Sequence, residues 1–287
     1  MPELPEVEVV KKSLEKKLKN LTRKRVFINN NKLRYEIDTK AFNRIKDLKI
    51  IDVKRRAKYL LINLDQNLTI LIHLGMTGKF FIVENKKKYK TSFYYQLKKN
   101  DSKHDHLTFF LNKGYKLIYN DVRKFGFIKL FKNKSIYNCS HLKSLGPEPL
   151  TKDFNTSYIE NNYLNKKIKI KDLLMNQKFV AGLGNIYCNE ILYLCRISPN
   201  RTVKKINKEE LIRIVKYTKK ILKKSIAQGG SSIKDFTSTE GQNGNFQQTF
   251  NVYNKEKSKC KSNKCLGIIK KIYTSGRSSF FCPMCQK

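Results

Sequence analysis

Tyr59-Leu-Leu-Ile-Asn-Leu-Asp-Gln-Asn-Leu-Thr-Ile-Leu-Ile-His-Leu74 holds two short apolar, β-branched runs separated by turn-type residues. That is the signature of neighbouring strands rather than of a helix. Similar runs recur on both sides, at Arg25–Ile28, Lys49–Val53, Lys79–Val83, His106–Leu111, Tyr115–Tyr119 and Phe125–Phe131. Asn, Asp, Gly and Lys interrupt them. The pattern predicts an antiparallel sandwich over roughly residues 24–132. Upstream, Leu4, Val7, Val10, Leu14, Leu18 and Leu21 recur at helical steps, so residues 2–20 read as one amphipathic helix. Downstream, Leu145-Gly-Pro-Glu-Pro-Leu150 breaks the pattern and reads as a linker. Helical periods follow near 152–164, 168–176, 186–196 and 207–227, then a Gly- and Ser-rich stretch, Gly229 to Gly244, that reads as a mobile loop. The tail from residue 248 reads as a β-hairpin. The fold class expected is α+β.

The chain has 287 residues, long enough for two domains with real cores. No apolar run reaches the roughly 20 residues needed to span a bilayer, and the acidic start lacks the apolar core of a signal peptide. A cytoplasmic protein is the expectation. Lys and Arg outnumber Asp and Glu by 61 to 23, a net charge of +38. Such a surface attracts polyanions, nucleic acid first. Only 11 of the 61 basic residues are Arg, in a chain rich in Lys, Asn, Ile, Tyr and Phe, so part of the excess reflects the composition of an AT-rich genome. Motifs must decide.

Of seven cysteines, Cys260, Cys265, Cys282 and Cys285 crowd into the last 28 residues, while Cys139, Cys188 and Cys195 are scattered. Two close pairs without a secretory signal read as a metal site, and four thiolates suit tetrahedral zinc. A site with four thiolate ligands leaves no open position, so the ion is structural.

The first eight residues, Met1-Pro-Glu-Leu-Pro-Glu-Val-Glu8, suggest chemistry. Removal of Met1 leaves Pro2 with a free secondary amine. An α-amine titrates near ~7.7–8.0, against ~10.4 for Lys, so far more of it is neutral and nucleophilic at pH 7. A neutral amine can form an iminium with an electrophilic carbon. Glu3 could move the accompanying proton, and Glu6 lies one helical turn further on. The plainer reading is a helix start, where Pro suits the first position and acids suit the positive end of the dipole.

This opening resembles that of the bacterial formamidopyrimidine-DNA glycosylases. The resemblance runs through Arg56-Ala-Lys-Tyr59, His73-Leu-Gly-Met-Thr-Gly78, Lys103-His-Asp-His106, Asp121-Val-Arg-Lys-Phe-Gly126 and Leu145-Gly-Pro-Glu-Pro-Leu150. It continues through Gly182-Leu-Gly-Asn-Ile-Tyr187, Gly276-Arg-Ser-Ser279 and Cys282-Pro-Met-Cys-Gln286. It implies a base-excision-repair enzyme, monomeric, that acts on damaged double-stranded DNA, removes oxidised purines such as 8-oxoguanine and formamidopyrimidines, and then cuts the strand by β,δ-elimination.

The resemblance also implies roles. Pro2 is the nucleophile at C1′, Glu3 the acid that opens the deoxyribose and Glu6 its support. Lys58 and His73 contact phosphates at the lesion. Met76, Arg123 and Phe125 fill the void left by an everted nucleotide, wedge the stack and read the orphan base. Asn185 lies in a helix-two-turn-helix element and Arg277 in a zinc hairpin, each on a phosphate. The first cysteine pair, Cys260 and Cys265, has four intervening residues and departs from the two-residue spacing usual in the family. The organisation implied is a catalytic domain over 1–132, a linker over 133–150, a helix-two-turn-helix domain with a lesion-capping loop over 151–247 and a zinc finger over 248–287. Each residue also has a bland reading. Lys58 can be a solvated strand-edge lysine, His73 a satisfied strand histidine, Met76 and Phe125 core residues, and Asn185 an N-cap. Two other functions fit less well. An endonuclease VIII-like enzyme acting on oxidised pyrimidines usually has Gly where this chain has Leu4. A non-catalytic zinc-finger DNA-binding protein leaves Pro2 without a task.

Overall fold

The computed structural model describes residues 2–45, 47–84, 87–91, 101–163, 165–231 and 246–287. They form two compact units. The first runs to Lys143 and takes in Gly229–Ser231, and the second comprises Ser144–Gln228 with the chain from Phe246 onward.

In the first unit, α1 (Leu4–Leu18) starts two residues later than the periodicity suggests. Its face of Leu4, Val7, Val10, Leu14 and Leu18 is fully buried and packs on the sheet below. The chain continues through β1 (Arg23–Ile28), α2 (Thr39–Arg44), β2 (Ile50–Arg56), β3 (Tyr59–Leu64) and β4 (Leu68–His73). Next come β5 (Lys79–Glu84), β6 (Lys87–Lys90), β7 (Asp105–Leu111), β8 (Lys116–Asn120), β9 (Phe127–Lys132) and the one-turn α3 (Asn133–Ile136). Every strand pairing is antiparallel. One sheet has the order β1-β7-β8-β5-β6 and the other β2-β3-β4-β9. Alternate residues from both, including Leu60, Ile62, Ile72, Phe80, Leu107, Leu117 and Ile128, meet the apolar face of α1 in one core. Burial of this kind is worth about 25 cal/mol per Å² and is what holds the two sheets together.

Three of these elements carry no sequence signal, among them α3, which lies in the stretch expected to be linker. The short α2 lacks a helical period and is started by Asp38, whose carboxylate accepts from the Ala41 N–H at 2.9 Å. Lys87-Lys-Tyr-Lys90 has no apolar run to mark it as a strand, yet it pairs with β5. Among the described residues it is the last strand of that sheet, and lysines on such an edge guard against wrong pairing.

The second unit contains α4 (Thr156–Tyr163), α5 (Ile170–Met175), α6 (Asn185–Cys195) and α7 (Lys208–Ala227), followed by the hairpin β10 (Lys270–Thr274) and β11 (Arg277–Phe281). All four helices lie within a residue or a turn of the expected positions. Leu173, Leu183, Ile186, Ile191, Leu211 and Leu222 form the helical core, with Phe246 and Phe250 packed into it. A smaller core of Tyr193, Val252, Ile269 and Phe280 supports the cysteines. Most of the Gly- and Ser-rich loop expected after α7, residues 232–244, lies outside the described residues. So do residues 241–245 of the expected capping loop.

Candidate active site and nucleic-acid interface

Pro2 and Glu3 precede α1 rather than opening it. Glu3 is the N-cap, and Pro5 takes the early helical position that favours proline. The bland reading of Pro2 as first helical residue therefore fails, and Pro2 lies buried ahead of the helix. Glu3 is 3% exposed and Glu6 1%. Glu6 Oε2 accepts the Glu3 N–H at 2.9 Å, while Glu6 Oε1 accepts from the Ser231 N–H and hydroxyl, each at 2.8 Å. A carboxylate so engaged is an anchor that fixes the backbone around Glu3.

Lys58 sits in the turn joining β2 to β3. It is 8% exposed, so it is not a solvated edge lysine. Arg55 locks this turn to α1. Its Nε donates to Glu8 Oε2 at 2.7 Å, and its Nη1 donates to the Ala57 carbonyl at 2.9 Å. The same bonds thus tie the Lys58 turn to the helix that Glu3 caps.

His73 ends β4, between Tyr59 of β3 and Phe127 of β9 in register. It stacks on Phe127 at an interplanar angle of 17°. Burial, reinforced by the nearby charge of Lys58, lowers its pKa to about 4. The ring is therefore neutral at physiological pH. Its Nδ1 accepts the Gly75 N–H at 3.1 Å, which leaves the proton on Nε2 as a donor.

Met76 and Phe125 are 40% and 44% exposed, which excludes the core reading of both. They belong to two facing turns, 75–78 and 121–126. The Arg123 guanidinium lies 4.6 Å from the centre of the Phe125 ring. Gly75 has φ +59°, and a Cβ there would stand 2.4 Å from the Phe125 carbonyl carbon, so only glycine lets the turns approach this closely.

In the second unit, Asn185 is the first helical residue of α6, with Gly184 as N-cap, so the N-cap reading of Asn185 is corrected. Its Nδ2 donates to the Ser278 carbonyl at 3.0 Å, next to Arg277. Arg277 is exposed at the start of β11. Lys171 of α5 is 1% exposed and donates to the same Ser278 carbonyl at 2.8 Å and to Ser279 Oγ at 2.7 Å. Asn189 Oδ1 accepts the Phe280 N–H at 2.7 Å. Glu190 accepts from the Asn251 N–H and side-chain amide and from the N–H groups of Val252 and Tyr253, at 2.8–2.9 Å. Helices α5 and α6 thus grip the hairpin by its backbone.

The sulfurs of Cys260, Cys265, Cys282 and Cys285 all lie within 4.8 Å of one another, with Cys260–Cys285 and Cys265–Cys282 at 3.7 Å. Four thiolates about 2.3 Å from one ion stand roughly 3.8 Å apart in a tetrahedron, so the set fits a metal of that kind. Backbone N–H groups of Ser262 and Gly267 point at Cys260 and Cys265 sulfurs at 3.4 Å, the supporting contacts a charged sulfur requires. The wider Cys260–Cys265 spacing does not disturb the cluster. Of the other cysteines, Cys188 and Cys195 are buried core residues and Cys139 is half-buried.

Comparison with known proteins gives the family. Residues 1–128 match the formamidopyrimidine-DNA glycosylase N-terminal domain, and residues 145–237 match the H2TH domain of the same enzymes. The formamidopyrimidine-DNA glycosylase of Rickettsia bellii is 39% identical over the full length of both chains, and that of Ruegeria sp. 36%. The chain belongs to the formamidopyrimidine-DNA glycosylase family. Among solved structures, the Lactococcus lactis enzyme in complex with DNA containing an abasic site has a TM-score of 0.84 at 32% identity, covering 99% of each chain. The same enzyme with DNA containing N7-benzyl-Fapy-dG has a TM-score of 0.85 at 32% identity over both full chains. The family is one of DNA-binding repair glycosylases. No helix among the described residues is long and apolar enough to cross a membrane.

Sequence reading missed Thr77, Asp121, Lys171, Glu190 and Ser231. Thr77 and Asp121 stand inside motifs that were legible. The other three act on partners distant in sequence and leave no local signal.

Proposed function

We propose that this chain is a bifunctional glycosylase and AP lyase that removes oxidised purines, such as 8-oxoguanine and formamidopyrimidines, from duplex DNA. The observation that carries the chemistry is the placement of Pro2 outside α1, beside the buried carboxyl of Glu3. The amine of Pro2, freed by removal of Met1, attacks C1′, the base departs with its bonding electron pair, and the proton lost by the Pro2 nitrogen balances the one the leaving base takes up. Glu3 gives a proton to O4′ as the C1′–O4′ bond opens, leaving an iminium between Pro2 nitrogen and C1′. The iminium makes the C2′ proton acidic. Its loss expels the 3′ phosphate, and a second elimination expels the 5′ phosphate. Glu6 holds the Glu3 backbone in place.

Lys58 and the Nε2–H of His73 hold phosphates at the lesion, and Asn185 and Arg277 hold others. Neutral His73 serves there as a hydrogen-bond donor rather than a charge. Base eversion costs a few kcal/mol of unstacking. Met76 and Phe125, both exposed apolar groups, fill and wedge the gap, and Arg123 reads the orphan base. The four cysteines hold one structural zinc, which fixes the loops that flank the Arg277 hairpin. The first unit is then the catalytic domain, and the second carries the helix-two-turn-helix and zinc-finger elements.

The test is borohydride trapping on a duplex with 8-oxoguanine opposite cytosine. Met1-processed protein should form a covalent adduct, mapped by mass spectrometry to Pro2, and Pro2→Gly should sharply reduce it. An adduct on another side chain overturns the mechanism. A strong preference for oxidised pyrimidines overturns the substrate class.

A further inference from the structure

The two turns that carry Met76, Arg123 and Phe125 are joined through one carboxylate. Asp121 is 0% exposed. Its Oδ1 accepts the hydroxyl of Thr77 across the two turns. Its Oδ2 accepts the Gly126 N–H at 2.8 Å and the Tyr119 hydroxyl at 3.2 Å. Thr77 Oγ1 in turn accepts the Arg123 N–H at 3.0 Å. The hydroxyl of Thr77 therefore relays the hold of Asp121 to the backbone of Arg123. Asp121 is itself fixed at both ends of its peptide. Its N–H donates to the His104 carbonyl at 3.1 Å, and its carbonyl lies 2.7 Å from Nε2 of the buried His106.

The chain makes no room for slack here. A Cβ on Gly126 would stand 1.9 Å from the Tyr119 hydroxyl and 3.0 Å from Asp121 Oδ2. Hydrogen bonds to a buried carboxylate are short and stronger than neutral ones, and losing a partner leaves a buried charge short of donors. The two turns are thus one rigid piece, and the exposed side chains on them keep fixed spacing.

We infer that Asp121, acting through Thr77, is the positioning residue for base eversion. It sets the wedge before DNA arrives, so that little of the binding energy is spent ordering the turns. The inference rests on the reading of Met76, Arg123 and Phe125 as the wedge. The chemical step at Pro2 does not depend on it.

That separation gives the test. Full-length, Met1-processed Thr77→Val, Thr77→Ser, Asp121→Asn and Phe125→Ala proteins are compared on two substrates. One is a duplex with 8-oxoguanine opposite cytosine, where the nucleotide must be everted. The other is a single strand with an abasic site, where nothing is left to evert. Thr77→Val keeps the shape and removes the relay. It should lower single-turnover excision on the duplex by roughly tenfold to a hundredfold, the range of a lost hydrogen bond to a charged group. Borohydride trapping on the single strand should stay within about twofold, since the lost interaction does not serve that step. Thr77→Ser, which retains the hydroxyl, should restore duplex excision, and Asp121→Asn should lose more than Thr77→Val. A 2-aminopurine beside the lesion should unstack slowly with Thr77→Val and at the normal rate with Thr77→Ser.

Equal losses on both substrates, or no loss with Thr77→Val, overturn the inference. If Phe125→Ala everts and excises normally, the wedge reading itself fails. If Phe125→Ala is impaired while Thr77→Val is not, the wedge stands and the relay falls.

Discussion

Each unit carries side chains proposed to contact DNA, and the two units hold the segments that bear them differently. In the first unit the partners that hold the turns are mostly neighbours in sequence or in the sheet, although Glu6 reaches Ser231, 225 positions away. Asp121 serves the turn it begins, His73 accepts from Gly75, and Arg55 bonds the turn that follows it. In the second unit the partners lie far apart. Lys171, Asn185 and Asn189 grip the backbone of Ser278, Ser279 and Phe280, while Glu190 grips residues 251–253. A wedge must keep its own internal spacing, which local bonds can supply. The proposed phosphate grip sits on a hairpin held against a helix pair, and long-range bonds supply that hold.

The sharpest way to break this contrast is Glu190→Gln. The neutral amide turns donors toward buried N–H groups and leaves some of them unpaired. The second unit should lose about 3 kcal/mol or more of stability. Urea unfolding should show an early loss of helix and of bound zinc, with the signal from the first unit unchanged. A single unshifted transition would contradict the long-range account.

His73 tests the first unit through pH. Its folded pKa is about 4, below the usual 6.5. Between these values the unfolded chain takes up a proton that the folded chain refuses. The associated stability is complete above pH 6.5 and is lost as pH falls toward 4, by up to roughly 3 kcal/mol. His73→Gln lacks this loss. Urea midpoints at pH 7.5 and 4.5 should therefore fall further in the parent protein than in the variant, and parallel falls would show that His73 titrates normally.

Lys171→Met should cost about 2 kcal/mol, because it removes a charged donor from the Ser278 carbonyl. It should also weaken DNA binding through Arg277, whose own contacts it does not touch. Arg277→Ala is the mildest change. It should leave thermal unfolding unchanged and lower the slope of log affinity against log salt by about 0.9, the contribution of one phosphate contact. An unchanged slope would place Arg277 off the DNA.

What the sequence revealed follows the same division. The strands of the first unit and the four helices of the second were visible because each buries one periodic face. The motif residues around Met76, Arg123 and Phe125 were visible because turn chemistry is local. The start of α1 was misplaced by two residues, since apolar spacing does not reveal that Glu3, not an earlier residue, is the cap. The edge strand at Lys87–Lys90 hid behind its charge, which is the very property that protects it. Lys171 read as one of many lysines, and Glu190 as an ordinary helix acid, because the backbone groups they bind lie roughly 60 or more residues away. No pattern in a single chain reports a partner at that distance.

The bond between Glu6 and Ser231 spans 225 positions. A ribosome adding roughly 5–20 residues per second needs about ten seconds or more to cover that interval. Throughout it, the nascent N-terminal half can fold its sheets, yet the carboxylate behind Glu3 still lacks this partner. The order of synthesis therefore delays this anchor until Ser231 has left the exit tunnel, and a translation product truncated before Ser231 cannot form it.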